Sequence, residues 1–266
     1  MENNYQDLLT YIEVETGFRC TNYKERPLKR RLMVRLRALN IENYEKYLLF
    51  LKQHPEELKT LLDVLTINLS YFFRNPETFD FIKQRVIPIL KQESGSLIFW
   101  SAGCAKGEEP YSLAIMAGEA GLLERTTIYA TDIDSVALDR AQQGRFQNLS
   151  FQFLDAHLKD EYFIPDKNCF VIKEKIRQHV IFRKHDIFEK FPFGYCNLIM
   201  CRNVLIYLDR NAQSVIINNF YEQLKEKGFL VLGKVELLIG ILSIKRFNVI
   251  SRNEHVYQKG HYAESS

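Results

Sequence analysis

Residues 99–118 read FWSAGCAKGEEPYSLAIMAG. The apolar run Leu97-Ile98-Phe99-Trp100 stops at Ser101-Ala102-Gly103, Gly103 and Gly107 bracket a tight turn, and a helix is expected from Glu108-Glu109 to about Gly118. A short buried strand feeding a helix through a glycine turn is the opening unit of a doubly wound sheet. Such sheets bind ligands at the carboxyl ends of their strands. Glycine suits the approach point because a Cβ there would collide with the ligand, which makes Gly103 a candidate binding residue.

Working toward the C-terminus, TIYATDID (127–134), VIFRKHD (180–186), NLIMCRN (197–203) and GFLVLGK (228–234) supply further strands. SVALDRAQQG (135–144) reads as a helix closed by Gly144, and a second helix is expected over 211–226. Strands alternating with helical patterns imply an α/β fold, with a mainly parallel sheet covered on both faces. FNVISR (247–252) and HVYQK (255–259) read as a closing hairpin. An insertion over about 154–183 breaks the alternation, with two short strand-like pieces joined at Pro165-Asp166-Lys167-Asn168. It reads equally well as a decorative hairpin or as a partner-docking β-subdomain.

Working toward the N-terminus, the pattern turns helical. Leu8, Leu9 and Ile12 begin it, and Leu28, Leu32, Leu36 and Leu39 continue it after Pro27. Helices are expected over 43–53 and 56–65, and Asn75-Pro76 reads as an N-cap followed by a first-turn proline, opening a helix toward Leu90. The expected organisation is therefore a helical N-terminal domain over 1–90 and a sheet domain over 91–266.

Composition narrows the classes. The 266 residues are 46% hydrophobic and 26% charged with a formal net charge of +3, an ordinary globular balance. No apolar run approaches the roughly 20 residues that span a bilayer. The polar, acidic start, MENNYQDLLTYIEVETGF, lacks the basic-then-apolar form of a signal peptide. The five cysteines are scattered without a CxxC pair, and the six histidines offer no ligand spacing with them, so reduced thiols in a cytoplasmic protein and no metal site are expected.

Two features of the glycine turn favour S-adenosylmethionine over a dinucleotide. The GxGxxG spacing is absent, and two glutamates at a helix N-terminus would repel a pyrophosphate. A sulfonium and an ammonium, by contrast, suit a carboxylate. Helix-dipole stabilisation is the plainer role for one of the pair. At the end of the second strand, Asp132 is placed to accept from a ribose diol, and Asp134 to cap the next helix. In TINLSYFFRNPETF (66–79), Asn68, Ser70 and Arg74 interleave with apolar residues. In NLIMCRNVLIYLD (197–209), Arg202-Asn203 falls at the sheet's carboxyl edge with Tyr207 just beyond, and the arginine fork matches a carboxylate.

TINLSYFFR, WSAGCAKGEEPYSLA, ATDID, CRNVLIY and the late GKVE together resemble the CheR family of chemotaxis-receptor methyltransferases, in order and spacing, over nearly the whole chain. The resemblance implies a Rossmann-like methyltransferase sheet with a small all-helical N-terminal domain and an inserted β-subdomain. It implies cofactor contacts at Asn68, Ser70, Arg74, Glu109, Asp132, Asp186, Ile187, Arg202 and Asn203, with Arg202 and Tyr207 beside the reacting methyl group. The implied reaction moves the methyl of S-adenosylmethionine onto glutamate carboxylates in the cytoplasmic helical region of chemotaxis-type receptors, leaving S-adenosylhomocysteine. Glutamate is already ionised at neutral pH, so no general base is called for. A non-catalytic S-adenosylmethionine-binding signalling protein is the alternative. Three departures from the family pattern stand out: Ala105-Lys106 where a Ser-Thr pair is usual, GKVE where GHSE is usual, and a short hairpin turn resembling members that do not tether to a receptor's C-terminal pentapeptide.

Seven cationic residues lie between Lys24 and Arg37. They read either as solvated flanks of an amphipathic helix or as a surface for an acidic receptor helix, with Arg30, Arg31, Arg35 and Arg37 as the docking residues. No stacking aromatics or nucleic-acid module accompany them, so a nucleic-acid partner is not expected. A monomer without membrane insertion completes the expectation.

Overall fold

In the computed structural model of the protein, residues 2–66, 68–236, 238 and 246–260 are described. They fall into two units: residues 1–68 with 207–213, and residues 69–206 with 214–266.

The first unit is helical. It contains α1 (Glu2–Thr16), α2 (Glu25–Ala38), α3 (Tyr44–Gln53) and α4 (Glu57–Thr66). Leucines at helical spacing build its interior: Leu28, Leu32 and Leu36 of α2 are buried, as are Leu58, Leu61, Leu62 and Leu65 of α4. Asn43 caps α3 by accepting from Lys46 N at 2.9 Å. The later segment 207–213 joins this unit through backbone bonds, Lys24 N to Tyr207 O at 2.8 Å and Asp209 N to Asn22 O at 3.0 Å.

The second unit opens with α5 (Pro76–Phe81), a π-helical turn (Ile82–Val86) and α6 (Ile87–Gln92), one continuous run. Pro88, which has no N–H to give, lies two residues beyond the π turn, in the first turn of α6. The expected boundary at residue 90 differs from the division observed at 68–69. The physical reason is burial: Phe79, Ile82, Val86, Ile87 and Leu90 belong to the same apolar core as Leu97 and Phe99 of the sheet.

That sheet comprises β1 (Leu97–Ala102), β2 (Thr126–Asp132), β6 (Val180–Lys184), β7 (Cys196–Cys201), β8 (Leu224–Leu232), β9 (Phe247–Ser251) and β10 (Val256–Lys259), in the order β6-β2-β1-β7-β8-β10-β9. The first five run parallel, and the last two form the expected antiparallel hairpin. α7 (Glu108–Glu119) links β1 to β2, and α8 (Ser135–Gln143) follows β2; α11 (Arg210–Gln223) precedes β8. Successive strands step outward from β1 to one edge and then, from β7, to the other. The switch point lies between β1 and β7, where ligands of such sheets bind.

The insertion is larger than the expected hairpin. β3 (Arg145–Phe146), β4 (Phe163–Asp166) and β5 (Cys169–Ile172) form a three-stranded sheet in the order β3-β5-β4, with α9 (Ala156–Tyr162) and α10 (Glu174–Arg177) beside it. β3 is two residues long, too short for any periodicity to register. Phe72 packs edge-on against Phe146 and Phe163 and stacks on Phe151, tying this subdomain to the segment before α5.

Candidate functional site

The carboxyl end of β1 passes into the turn Gly103–Gly107. Gly103 N and Cys104 N donate to Thr131 O at 2.8 and 3.0 Å, which folds the turn over β2. Gly103 has φ +80°, and a Cβ there would meet Val204 Cγ2 at 2.5 Å. Its glycine is therefore required by the chain itself, through Val204 of the loop after β7, in addition to any ligand.

Asp132 ends β2 and organises the same turn. It accepts from Ala105 N at 2.9 Å through one oxygen and from Asp134 N at 3.0 Å through the other. Burial pushes its carboxyl up to about 6, against the pull of those amides. Asp134 caps α8 as expected, accepting from Val136 N and Ala137 N.

Glu108 and Glu109 begin α7 and both are buried. Glu109 accepts from Ser101 Oγ at 2.7 Å and lies 3.8 Å from Arg202 Nη1. Glu108 accepts from Ser150 Oγ at 3.0 Å, while its other oxygen has no hydrogen-bond partner. Burial pushes the Glu108 carboxyl up to about 7. Both lie in the first turn of α7, the place where the sequence allows helix-dipole stabilisation for at least one of them.

Arg202 follows β7 and is 7% exposed. Its Nη2 donates to Arg74 O at 2.6 Å and to Asn75 Oδ1 at 2.7 Å, and its guanidinium lies over the Phe79 ring at 5.5 Å. Its Nε is buried without a hydrogen-bond partner. Asn75 is the N-cap of α5 only by position. Its backbone is left-handed at φ 61°, its side chain caps no helix amide, and its oxygen serves Arg202 instead, correcting the expected capping role.

Asn203 is left-handed at φ 63°, and its N donates to Glu236 at 2.9 Å. The Glu236 carboxylate also accepts from Gly233 N at 2.6 Å, Leu205 N at 2.7 Å and Ile206 N at 3.4 Å. Sequence reasoning gave Glu236 no role beyond its place in GKVE, yet this one side chain holds the whole loop after β7. In the same motif Lys234 pairs with Glu254 at 2.9 Å.

The remaining expected residues are placed as follows. Ser70 and Arg74 lie half-buried before α5, with Arg74 Nη1 donating to Leu69 O at 3.2 Å. Asp186 and Ile187 follow β6, where Asp186 accepts from Phe188 N at 3.0 Å. Asn68 and Tyr207 belong to the helical unit. Asn68 donates to Asp63 and Thr66, and the Tyr207 ring sits under the Arg31 guanidinium at 4.4 Å.

Among the docking arginines, Arg30 and Arg37 are exposed, as expected. Arg31 and Arg35 are not free surface cations. Arg31 is buried and donates to Leu65 O, and Arg35 is paired with the buried Glu57. The physical reason is that a charge on the packed face of α2 must find a partner or unfold its neighbour.

The site thus collects the buried carboxyls of Glu108, Glu109, Asp132, Asp134 and Glu236, the buried Arg202 and a glycine turn at the switch point of the sheet. Two buried glutamates in the first turn of α7 would repel a phosphate; the buried acids suit a cationic ligand bearing hydroxyls, and Arg202 suits a carboxylate. The residues present fit S-adenosylmethionine. No group of three or more His, Cys, Asp or Glu able to hold a metal ion occurs among the described residues.

Comparison with known proteins agrees with this chemistry. Residues 68–254 match the family described as "CheR methyltransferase, SAM binding domain", and residues 3–66 match "CheR methyltransferase, all-alpha domain". The chain is 32% identical over 240 residues to a chemotaxis protein methyltransferase of Listeria innocua, covering 90% of this chain and 92% of the relative. It is 33% identical to that of Borreliella burgdorferi, covering 88% and 87%, and 32% identical to chemotaxis protein methyltransferase 2 of Vibrio cholerae, covering 96% and 92%.

Proposed function

The chain belongs to the CheR methyltransferase family, and from that premise we propose that it esterifies glutamate side chains in the cytoplasmic helical region of chemotaxis receptors. It is an S-adenosylmethionine-dependent methyltransferase of the chemotaxis type. The observation that carries the glutamate reading is Arg202, a guanidinium at the carboxyl end of β7 held from behind by Arg74 O and Asn75 Oδ1. Such a donor is completed by a carboxylate.

When bound, S-adenosylmethionine supplies a methyl group already activated on a sulfonium. Its methyl would pass to the carboxylate oxygen of a substrate glutamate, which is ionised at neutral pH and calls for no general base on this chain, with S-adenosylhomocysteine as the product. In this reading Asp132 accepts from the ribose hydroxyls, Glu109 faces the cationic end, and Gly103 lets the backbone approach. Arg74, Ser70, Asp186, Ile187 and Asn203 would complete the cofactor's surroundings in the sheet unit. Arg202 would orient the incoming carboxylate without neutralising it, since a tight ion pair would blunt the nucleophile; Asn68 and Tyr207 are assigned to the same reaction by the family's motifs alone. The protein's contribution is positioning and exclusion of water. The two-residue turn Lys167-Asn168 between β4 and β5 supports a member that does not tether to a receptor tail.

The test is calorimetric titration with S-adenosylhomocysteine, for wild type and Asp132→Ala, followed by transfer of labelled methyl onto receptor fragments. Micromolar binding lost in the variant, with label released as methanol by mild base, supports a carboxyl ester. Binding without transfer to any receptor fragment would replace the enzyme with a non-catalytic sensor.

A further inference from the structure

Five residues, Tyr71 to Asn75, are anchored by three different parts of the sheet unit. Phe72 N donates to Ser150 O at 2.9 Å, in the inserted subdomain. Phe73 N donates to Ser112 Oγ at 2.9 Å, and that hydroxyl donates in turn to Glu108 O at 2.7 Å, inside α7. Arg74 O and Asn75 Oδ1 both accept from Arg202 Nη2, at the end of β7. Within this short span two non-glycine residues are left-handed, Phe73 at φ 51° and Asn75 at φ 61°. A bulky aromatic seldom adopts that conformation, and it persists only where the surroundings over-determine it.

The conformation has a specific effect at Asn75. With the backbone left-handed, the side chain is withdrawn from the helix amides that an asparagine at this position ordinarily caps. It turns its oxygen to the guanidinium instead. The oxygen must be the atom facing Arg202, because arginine has only donors and an amide nitrogen there would find nothing to bond. Two acceptors on one nitrogen, 2.6 and 2.7 Å away, fix the plane of the guanidinium as well as its distance. Glu109, at 3.8 Å, contributes charge without that directional hold.

We infer that Asn75 is a positioning residue for methyl transfer: its side chain, set by the strained Phe73–Asn75 turn, aims Arg202 at the substrate carboxylate. The inference rests on the reading of Arg202 given above. It separates two properties of Asn75 that substitution can test independently, the left-handed backbone and the acceptor oxygen. Asn75→Gly keeps the backbone and loses the oxygen. Asn75→Asp keeps an acceptor and accepts the same N–H.

The experiment measures S-adenosylhomocysteine affinity, thermal midpoint, and kcat and KM on receptor fragments for wild type and both variants. The expected result is that Asn75→Gly leaves the thermal midpoint unchanged and cofactor affinity within about twofold of wild type, and lowers kcat/KM for receptor about tenfold. Asn75→Asp recovers most of that loss. Equal losses in both variants would assign the effect to backbone packing, and an undiminished kcat/KM in Asn75→Gly would remove Asn75 from the positioning of Arg202; either overturns the inference. Absence of cofactor binding in wild type would instead strike the methyltransferase reading itself.

Discussion

Arg202 Nη1 and Glu109 Oε2 stand 3.8 Å apart, with side chains only 2% and 11% exposed, so their charges meet without a hydrogen bond between them. Burial lowers the Arg202 pKa and raises that of Glu109, each penalised for leaving water, and each partly repaid by the other. Breaking a touching buried pair costs roughly 3–5 kcal/mol. At this longer separation Glu109→Gln is expected to lose about 2 kcal/mol of stability. It should also weaken S-adenosylhomocysteine binding about tenfold, which is the cost of a single charged hydrogen bond. Urea unfolding and calorimetry check both, and a variant unchanged in both would take Glu109 out of the site.

Asp132 predicts a pH dependence of cofactor binding. Its carboxyl titrates at about 6 in the free protein because it is buried. Hydroxyl donors favour the ionised form, so affinity should be full at pH 7.5. Below pH 6 it should weaken by up to about tenfold per unit as the proton must first be displaced. Titrations at pH 5, 6 and 7.5 give the profile, and Asp132→Asn should flatten it. A flat wild-type profile would place the ribose elsewhere.

Glu108 predicts a change in stability that runs the other way from the usual acid. Its pKa rises to about 7 on folding through burial, so between about 4.3 and 7 the folded state holds a proton that the unfolded state has released. Stability from this group is therefore lost as pH rises through that window. Glu108→Gln should match wild type at pH 5 and exceed it by roughly 2 kcal/mol at pH 8. Thermal melts at the two values suffice, and a constant difference would mean that Glu108 is ionised throughout.

Glu236 is expected to be intolerant of its own amide. The carboxylate spreads over four backbone N–H groups, and Glu236→Gln replaces one acceptor oxygen by a donor facing donors. A loss of about 2–4 kcal/mol in stability follows, with a fall in kcat because Asn203 and the loop to Ile206 are released. Wild-type stability in this variant would show the loop to be held by its strand ends alone.

The basic face of α2 divides into two pairs. Arg30→Glu with Arg37→Glu should raise KM for receptor severalfold, more at low salt than at high, with the thermal midpoint unchanged. Arg35→Ala should instead destabilise the helical unit by about 2 kcal/mol or more, because it strands the buried Glu57. If Arg30 and Arg37 leave KM untouched, docking does not use this helix.

What the sequence made legible was local. Strand–helix alternation, the Asp134 cap and the Gly144 stop depend on residues within one turn of each other, and all three are found in place. What escaped it depends on partners far along the chain. Asn75 carries a capping signature, but its oxygen is claimed by Arg202, 127 residues away. Arg35 looks like surface charge until Glu57 arrives from another helix. Glu236 gathers amides from a loop some thirty residues earlier, which no spacing rule anticipates. β3 leaves no mark in the sequence, because two residues carry no period.

The helical unit is not cut from a single length of chain. Its Lys24 N and Asn22 O bond to Tyr207 and Asp209, which the polypeptide reaches only after building β7. The unit is thus interrupted, and anyone exchanging it between relatives to redirect receptor choice faces a two-piece transplant. A graft ending at Asn68 would import helices whose mates along 207–213 still belong to the recipient. Chimeras that carry both pieces together should fold where single-crossover chimeras fail.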